Sequence, residues 1–184
     1  MNSLEIRKRY EVRKMAVGEQ VRFFNCGDVD LNDFLINEAV FYRKALLSVT
    51  YLFEEKSTKQ IAAFFSLAND KVSLSDFENK TEFNRFRKIR FINEKRLKSY
   101  PAVKLCRLGV DESLKGHHIG TVLLDFIKSF FVVDNKTGCR FLTVDAYADA
   151  VPFYMKNGFV PINEEDRDDD THLLYFDLND VSGD

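Results

Sequence analysis

The sequence predicts an α/β fold in which helices flank a mixed central sheet. In the carboxyl-terminal half, a buried strand at 102–110, an amphipathic helix from Ile119, a second buried strand at 139–146 and a short helix follow one another. Strands that alternate with helices in this way pair in parallel. The amino-terminal half adds a helix and a hairpin. No repeat and no Gly-, Ser- or Pro-rich linker divides the chain, so a single domain spanning 1–184 is expected.

The composition fits a packed globular protein. Apolar residues make up 45% of the 184 residues, and 18 are phenylalanine. The net charge of −2 gives no general indication of a nucleic-acid partner. An odd number of widely spaced cysteines favours a reducing compartment over a disulfide framework: Cys26, Cys106 and Cys139. With no secretory h-region and no run of about 18 apolar residues, a cytoplasmic protein without a membrane span is expected.

The amino-terminal elements are predicted from periodicity and turn chemistry. Asp30 precedes apolar residues spaced for one helix face, which predicts a helix near 31–45. The stretch "LLSVTYLF" alternates as a strand does, and "IAAFFSLA" follows it after the polar turn "EEKSTKQ", so the two form a hairpin. Residues 79–98 are mixed and basic, and we expect them to be helical in part.

The carboxyl-terminal elements follow from denser signals. "AVKLCRLGV" has the length and apolar density of a central strand, and helical spacing continues from Ile119 to Phe130 until Gly138 breaks it. "CRFLTVDA" is predicted as a strand. In "ADAVPFYMKN" Pro152 suits the first turn of a short helix, and Gly158 its end. "HLLYFDL" at 172–178 is the last predicted strand, after an acidic loop at 163–170.

The turn between the 102–110 strand and the next helix is a candidate anion-binding site. Gly116 and Gly120 enclose His117 and His118 where the helix begins. Such an entry directs backbone N–H groups and the helix dipole at one point, which suits phosphate, although a tight structural turn explains the glycines equally well. The P-loop and dinucleotide fingerprints are absent. Adjacent side chains at a helix start point about 100° apart, so no metal site is expected.

Two motifs in a fixed order carry a resemblance to a known superfamily. "CRLGVDESLKGHHIGTVLL" followed by "TVDAYADAVPFYMKNGFVPI" resembles the GCN5-related N-acetyltransferase (GNAT) superfamily, well over 103–162 and more loosely over 21–70. The resemblance implies a mixed sheet splayed near the 103–110 strand, and acetyl-CoA as the acetyl donor without a metal. The residues that match the motifs are Leu108, Val110, Lys115, His118, Gly120, Phe153, Tyr154, Gly158 and Phe159.

The resemblance also implies where acetyl-CoA binds. Its diphosphate would rest on amides around 115–121, and its pantetheine would pair with the strand at 108–110. Lys115 stands where Gln or Arg is usual, and His118 replaces a glycine, where a positive φ would strain it. The implied cofactor-binding residues are Leu108, Gly109, Val110, Lys115, Gly116, His117, His118, Ile119, Gly120, Thr121 and Tyr147, the last of which replaces a frequent asparagine.

The implied activity is transfer of acetyl from acetyl-CoA to a primary amine of a small molecule, peptide or protein. The resemblance places Tyr154 beside the departing thiolate, where a phenol can act as general acid. Asp145, at the end of the strand "FLTV", has two possible roles that stay open: general base, or simply the residue that ends the strand. A non-catalytic domain that binds CoA or a protein stays open as an alternative, because His118 and Tyr147 depart from the family pattern.

A shorter resemblance points to one branch of the superfamily. "FFNCGDVDLNDFL" looks like the opening of acetyltransferase toxins from bacterial toxin–antitoxin pairs, which acetylate aminoacyl-tRNA. Between Lys80 and Arg107, ten Lys or Arg stand against two Glu, with four aromatics among them. This stretch could contact tRNA phosphates and bases, or it could be a solvated amphipathic helix. A tRNA acceptor, an antitoxin and a homodimer therefore remain open. The residues that match the toxin opening are Cys26, Gly27, Leu31, Phe34 and Leu35.

Overall fold

The computed structural model describes residues 3–91, 97–133, 137–163 and 170–181. The helices are α1 (Ser3–Arg9), α2 (Val29–Asp33), α3 (Ala39–Lys44), α4 (Lys80–Arg90), α5 (Ile119–Val133) and α6 (Val151–Lys156). The strands are β1 (Tyr10–Lys14), β2 (Val49–Glu55), β3 (Ile61–Ser73), β4 (Ser99–Val110), β5 (Phe141–Tyr147), β6 (Val160–Pro161) and β7 (Thr171–Asp177).

The seven strands form one mixed sheet in the order β1-β2-β3-β4-β5-β7-β6. β1, β2 and β3 pair antiparallel, as the predicted hairpin requires. β4 pairs in parallel with β5, and β7 then pairs antiparallel with β5 and β6. The predicted α/β class and mixed sheet are confirmed. Among the described residues β4 pairs with β5 only over Ala102–Lys104, as a sheet splayed at this strand requires.

The predicted amino-terminal helix is present, with a π-helical turn inside it. It runs through α2, a π-helical segment at Phe34–Glu38 and α3. The Asp28 side chain caps its start by accepting a hydrogen bond from the Leu31 amide at 2.9 Å. Phe34 and Leu35, adjacent in sequence, are both buried. A π-turn changes the helical phase, which lets both side chains reach the core.

Three elements have no clear signal in the sequence. α1 is "SLEIRKR", in which Ile6 is fully buried. β1 is an edge strand, and its Tyr10 ring stacks on Phe53 of β2 with centroids 4.9 Å apart. β6 has two residues, too few for a periodic pattern. These elements depend on contacts with residues distant in sequence, which a local hydrophobic pattern cannot predict.

The chain divides into two compact units, each with its own core. The first comprises Met1–Ala68 with Leu105–Ile127, and the second comprises Asn69–Lys104 with Lys128–Asp184. The core cluster of the first unit consists of Met15, Val21, Phe24, Cys26, Phe34, Leu35, Ala39, Leu52 and Phe64. The cluster of the second is largely aromatic and consists of Val72, Phe77, Phe83, Phe86, Phe91, Tyr100, Ala102, Phe141 and Tyr175.

Some expectations fall partly outside the described residues. Most of the acidic loop predicted at 163–170 lies there, since 164–169 are not described. Lys136, in the turn after α5, also lies outside, whereas Thr137 and Gly138 of that turn are described. None of the described helices combines the length and the apolar character needed to cross a membrane.

Candidate active site

The turn between β4 and α5 leads into a helix whose first backbone amides have no partner inside the helix. The Asp111 amide donates to the Ala62 carbonyl at 2.9 Å, which fixes the end of β4 on β3. Residues 115–118 are exposed, and the first bond of α5 runs from the Val122 amide to the His118 carbonyl at 3.1 Å. The amides of residues 119–121 therefore have no partner inside the helix. A 15-residue helix that opens this way provides donors and a positive dipole end for phosphate oxygens.

His118 adopts the left-handed backbone conformation that the glycine of the motif would adopt freely. Its φ is +62°, and that of Gly116 is +80°. A histidine at positive φ is strained. This strain was expected as a consequence of a positive φ, but the sequence alone did not determine the sign of φ. The helix nevertheless starts at the expected place, because the capping bond uses the backbone carbonyl of His118 and not its side chain.

Changing His118 to glycine should therefore stabilise the protein. Removing the Cβ relieves the left-handed strain, so the free energy of unfolding should rise by about 1 kcal/mol and Tm by about 2 to 4 °C. His117→Gly is the matched control, since residue 117 is not at positive φ and glycine there should give no gain. Urea and thermal unfolding followed by circular dichroism measure both. Equal stability of His118→Gly and wild type would contradict the strain.

The cysteine–glycine stretch near the amino terminus packs against this turn within the first unit. Gly27 has φ +79°, and a Cβ built there would lie 2.9 Å from Lys115 Nζ and 3.2 Å from Glu112 Oε1. The Glu112 amide donates to the Asn25 carbonyl at 2.9 Å, and Asn25 Nδ2 donates to the Glu112 carboxylate at 3.3 Å. Gly27 is thus favoured by its left-handed backbone conformation, while the Lys115 ammonium, at the end of a flexible side chain, could move aside for a larger residue.

Gly109, in the middle of the predicted pantetheine strand, has a clear packing role. A Cβ there would lie 2.6 Å from Cε1 of Phe64 and 3.4 Å from Cε1 of Phe24. The strand can lie close to the core of the first unit only because this residue has no side chain. Leu108 and Val110, on either side, are half-buried. Their contact with pantetheine stays a prediction.

Tyr154 lies in α6, in the second unit, where Pro152 occupies the first turn as predicted. Its ring packs against Phe159 with centroids 5.4 Å apart, and the side chain is 8% exposed. Burial raises the pKa of Tyr154 to about 12, so the phenol is protonated at neutral pH. Its hydroxyl has no hydrogen-bond partner among the described residues. The hydroxyl therefore carries the proton that a general acid needs, but its raised pKa makes it a weaker acid than an ordinary phenol.

Asp145 and Tyr147 lie near the end of β5, also in the second unit. The Asp145 carboxylate forms an ion pair with Lys104 Nζ, a partner that the sequence did not identify. On the same strand, the Thr143 hydroxyl donates to Asp70 Oδ2. Tyr147 is 61% exposed, and its carbonyl accepts from the Ala150 amide at 2.9 Å just before α6. The candidate catalytic residues and Tyr147 thus share one unit, while 108–110 and 115–121 belong to the other.

Metal and thiol chemistry find little support in the side chains. In the part of the chain that the structure describes, no three or more His, Cys, Asp or Glu residues are grouped so that they could hold a metal ion. Cys26 is buried, which raises the pKa of its thiol, and its Sγ lies 3.2 Å from Asn32 Oδ1. Burial also raises the pKa of the Cys139 thiol to about 11. Neither thiol is in the state of a reactive thiolate.

In the described part of the basic stretch from Lys80 to Arg107, the aromatic rings are not free and several of the cations have partners on the protein. Its four aromatic residues are buried in the core of the second unit, so stacking on nucleic-acid bases from these rings is ruled out. Arg90 contacts the Tyr175 hydroxyl and Asp177. Arg87 donates to the Leu97 carbonyl. The amphipathic-helix interpretation is confirmed for α4, and Glu94, Lys95 and Arg96 lie outside the described residues. The exposed cations among the described residues of the stretch are Lys80, Arg85, Lys88 and Lys98.

The whole chain resembles solved structures closely in fold. A crystal structure of a tyrosine-to-phenylalanine mutant of KacT gives a TM-score of 0.76 at 19% identity, covering 95% of this chain and 98% of that one. AtaT complexed with acetyl-methionyl-tRNAfMet gives 0.71 at 20% identity, covering 94% and 97%. A mutant of the toxin AtaT bound to the C-terminus of the antitoxin AtaR and acetyl-CoA gives 0.66 at 19% identity, covering 95% and 96%. These likenesses establish a shared fold.

The sequence itself matches a family described as the acetyltransferase (GNAT) domain. The match covers residues 54–175, about two thirds of the chain. It includes the amide-rich turn at 115–121 and Tyr154, and therefore residues of both compact units. The matched region contains the parallel strand pair β4 and β5, the helix α5 between them, and the short helix α6, which Gly158 follows. The chain belongs to the GNAT acetyltransferase family.

Proposed function

We propose that the protein transfers an acetyl group from acetyl-CoA to a primary amine of a small molecule, peptide or protein. The observation that carries this proposal is the GNAT family match over 54–175, combined with the amides at 119–121 that have no partner inside α5. The diphosphate would rest on 115–121, where Lys115 adds a positive charge, and pantetheine would lie along 108–110. Tyr147 completes the proposed cofactor-binding set.

The proposed reaction has three steps at the thioester. The uncharged amine attacks the carbonyl carbon, and a backbone amide of residues 108–110 polarises the carbonyl oxygen. The carbon–sulfur bond then breaks, and Tyr154 gives its proton to the departing thiolate. The amine loses its own proton to Asp145, directly or through water. The Lys104 ammonium already contacts that carboxylate. The amine must therefore displace the ammonium, or its proton must reach the carboxylate through a water molecule.

Two measurements, acetyl-CoA binding and thiol release, distinguish an acetyltransferase from a non-catalytic CoA-binding domain. Acetyl-CoA should raise Tm in a concentration-dependent way, and a thiol reagent should detect CoA released once amines are added. A Tm shift without thiol release, across amines of all classes, would favour the non-catalytic alternative. No Tm shift at millimolar acetyl-CoA would contradict both.

We further propose that residues 1–184 act as one acetyltransferase domain in the cytoplasm. The family match draws residues from both compact units, which supports their acting together. All three cysteines are free thiols, which agrees with a reducing compartment. A homodimer remains a proposal from the family resemblance, and size-exclusion chromatography with light scattering tests it.

The α-amino group of aminoacyl-tRNA is a second candidate acceptor. It is favoured by the similarity to AtaT, whose structures contain acetyl-methionyl-tRNAfMet in one case and an antitoxin with acetyl-CoA in another. On this alternative the protein would be a toxin, and an antitoxin would be its partner. Because the buried aromatics of the basic stretch cannot stack on bases, tRNA binding through this stretch would depend on phosphate contacts from its exposed cations.

Reversing the charge of those exposed cations should therefore impair acetylation of tRNA selectively. In a variant with Lys80, Arg85, Lys88 and Lys98 changed to Glu, labelling of charged tRNA from radiolabelled acetyl-CoA should fall at least about tenfold, since each lost phosphate contact weakens binding. Thiol release from acetyl-CoA with a small amine should not change. Arg87 and Arg90 are left intact because they support the aromatic core.

The matched control carries the same change in charge elsewhere. Lys8, Lys14, Arg22 and Lys44 are exposed residues of the first unit, and changing them to Glu also replaces three lysines and one arginine. This variant should retain labelling if the α4 surface is the tRNA site. Equal losses in both variants would show a dependence on net charge alone, and undiminished labelling in the first variant would exclude its four residues from tRNA binding.

A further inference from the structure

Lys128 is a buried lysine in the second unit that the proposed reaction does not use. It lies on α5 and is 8% exposed, although α5 also presents exposed positions. Burying an ammonium group is costly unless its donors are satisfied. Its Nζ donates to the main-chain carbonyl of Asn157 at 2.6 Å. This carbonyl belongs to the residue that caps the carboxyl end of α6.

Two aromatic rings also lie close to the ammonium. Lys128 Nζ lies 4.1 Å from the ring centroid of Phe176 and 5.7 Å from that of Phe159. Such cation–π contacts become stronger when water is excluded. The ammonium thus contacts the backbone at the end of α6 and also the ring of Phe159, on which Tyr154 packs.

The turn held in this way begins at the carbonyl of Tyr154. That carbonyl accepts hydrogen bonds from the Asn157 amide at 2.9 Å and the Phe159 amide at 3.1 Å. Gly158, between them, has φ +83°, and a Cβ there would lie 3.1 Å from the Phe176 ring. The position of Tyr154 is consequently coupled to a turn that Lys128 binds from the other side.

We propose that Lys128 is a positioning residue for Tyr154. Its ammonium fixes the Asn157 carbonyl and the Phe159 ring, and both in turn hold the backbone and the ring of Tyr154 in one orientation. This inference rests on the proposed function, in which the Tyr154 hydroxyl donates a proton to the thiolate. An apolar side chain would fill the same space but leave the Asn157 carbonyl without its donor.

A double-mutant cycle between Lys128→Met and Tyr154→Phe tests this coupling. The readout is the maximal rate of thiol release from acetyl-CoA with a mixture of charged tRNA, peptides and spermidine, so that the acceptor need not be known in advance. Lys128→Met should lower this rate between about tenfold and a hundredfold with the KM for acetyl-CoA unchanged, because misplaced groups lose rate steeply. In the Tyr154→Phe background, Lys128→Met should not lower the rate of thiol release further, since this variant has no hydroxyl to position.

Control variants separate positioning from general damage. Lys156→Met removes an exposed lysine from α6 itself and should keep the wild-type rate. If Lys128→Met does not fold, Lys128→Gln, which keeps a donor without the charge, replaces it in the cycle. An equal loss of rate in both backgrounds would overturn the proposal and leave the role of Tyr154 standing. An unchanged rate in Tyr154→Phe alone would instead refute the acid role, and the positioning role with it.

Discussion

Replacing Tyr154 with phenylalanine should lower the maximal rate of acetyl transfer by about 10² to 10⁴, the usual contribution of general acid catalysis. The substitution keeps the ring that packs on Phe159 at 5.4 Å and deletes only the hydroxyl. That hydroxyl makes no hydrogen bond within the described residues, so its loss should leave the fold and the Kd for acetyl-CoA unchanged. Steady-state kinetics together with calorimetry measure the two quantities separately.

A second buried tyrosine supplies the control for this prediction. Tyr10 is 4% exposed and burial also raises the pKa of its phenol, so Tyr10→Phe should leave the rate unchanged. Because the pKa of Tyr154 is raised to about 12, the acid stays protonated and no alkaline loss of rate from this group is expected below that pH. An unchanged maximal rate in Tyr154→Phe would contradict the acid role, whereas a loss of rate near about pH 8 that disappears in this variant would show only that the phenol titrates well below about 12.

Replacing Gly120 with glutamate should abolish measurable acetyl-CoA binding. Gly120 is the second residue of α5, among the amides that have no partner inside the helix. A carboxylate at this point brings negative charge against the diphosphate and occupies the space that its oxygens need. We expect the affinity measured by calorimetry to fall by at least about a hundredfold, the equivalent of roughly 2.7 kcal/mol.

Gly138→Glu is the corresponding control. Gly138 is exposed, has ordinary backbone geometry, and a Cβ there would meet no atom within 4 Å. This variant carries the same change in charge and size and should bind acetyl-CoA as wild type does. If Gly120→Glu folds and retains wild-type affinity, the cofactor lies elsewhere and the role of the amides at 119–121 is wrong.

The elements that sequence analysis predicted well are those whose signals are local. β4 is a dense apolar run, and α5 keeps its helical spacing over its whole length. The end of α6 is marked by Gly158 at positive φ. In contrast, α1 and β1 are polar and depend on distant partners such as Phe53. Edge strands of this kind carry a weak pattern because one side of the strand lacks a neighbour.

The candidate site shows the same division. Tyr154 and the amide-rich turn were predicted from motif order, and the GNAT family match confirms the superfamily to which those motifs pointed. The positive φ of His118 was not predictable, because the sequence is compatible with either sign of φ at this position. The partner of Asp145 is Lys104, on a neighbouring strand, and such pairings require the sheet register. The burial of Lys128 was not predicted, because a lysine in the sequence of an amphipathic helix is normally assigned to the solvent-exposed face.

The basic stretch shows what composition leaves undecided without structure. Its ten cations and four aromatics are compatible with a surface for phosphates and bases and equally with a solvated amphipathic helix. The rings form a core on which Arg87 and Arg90 lie over Phe83 and Phe86 at 4.7 and 4.6 Å. These two arginines therefore stabilise the fold, and the exposed cations among the described residues of the stretch are Lys80, Arg85, Lys88 and Lys98.

Transfer of acetyl from acetyl-CoA to a primary amine can be followed by the fate of the acetyl group itself. The protein is incubated with acetyl-CoA radiolabelled in the acetyl group and, in parallel, with charged tRNA, amino-terminal peptides and polyamines. We expect label in an alkali-stable amide on one of these acceptors, formed at the same rate as free CoA and lost in Tyr154→Phe. Acetyl-CoA that stays intact with every amine, or label that never leaves the thioester, would contradict it.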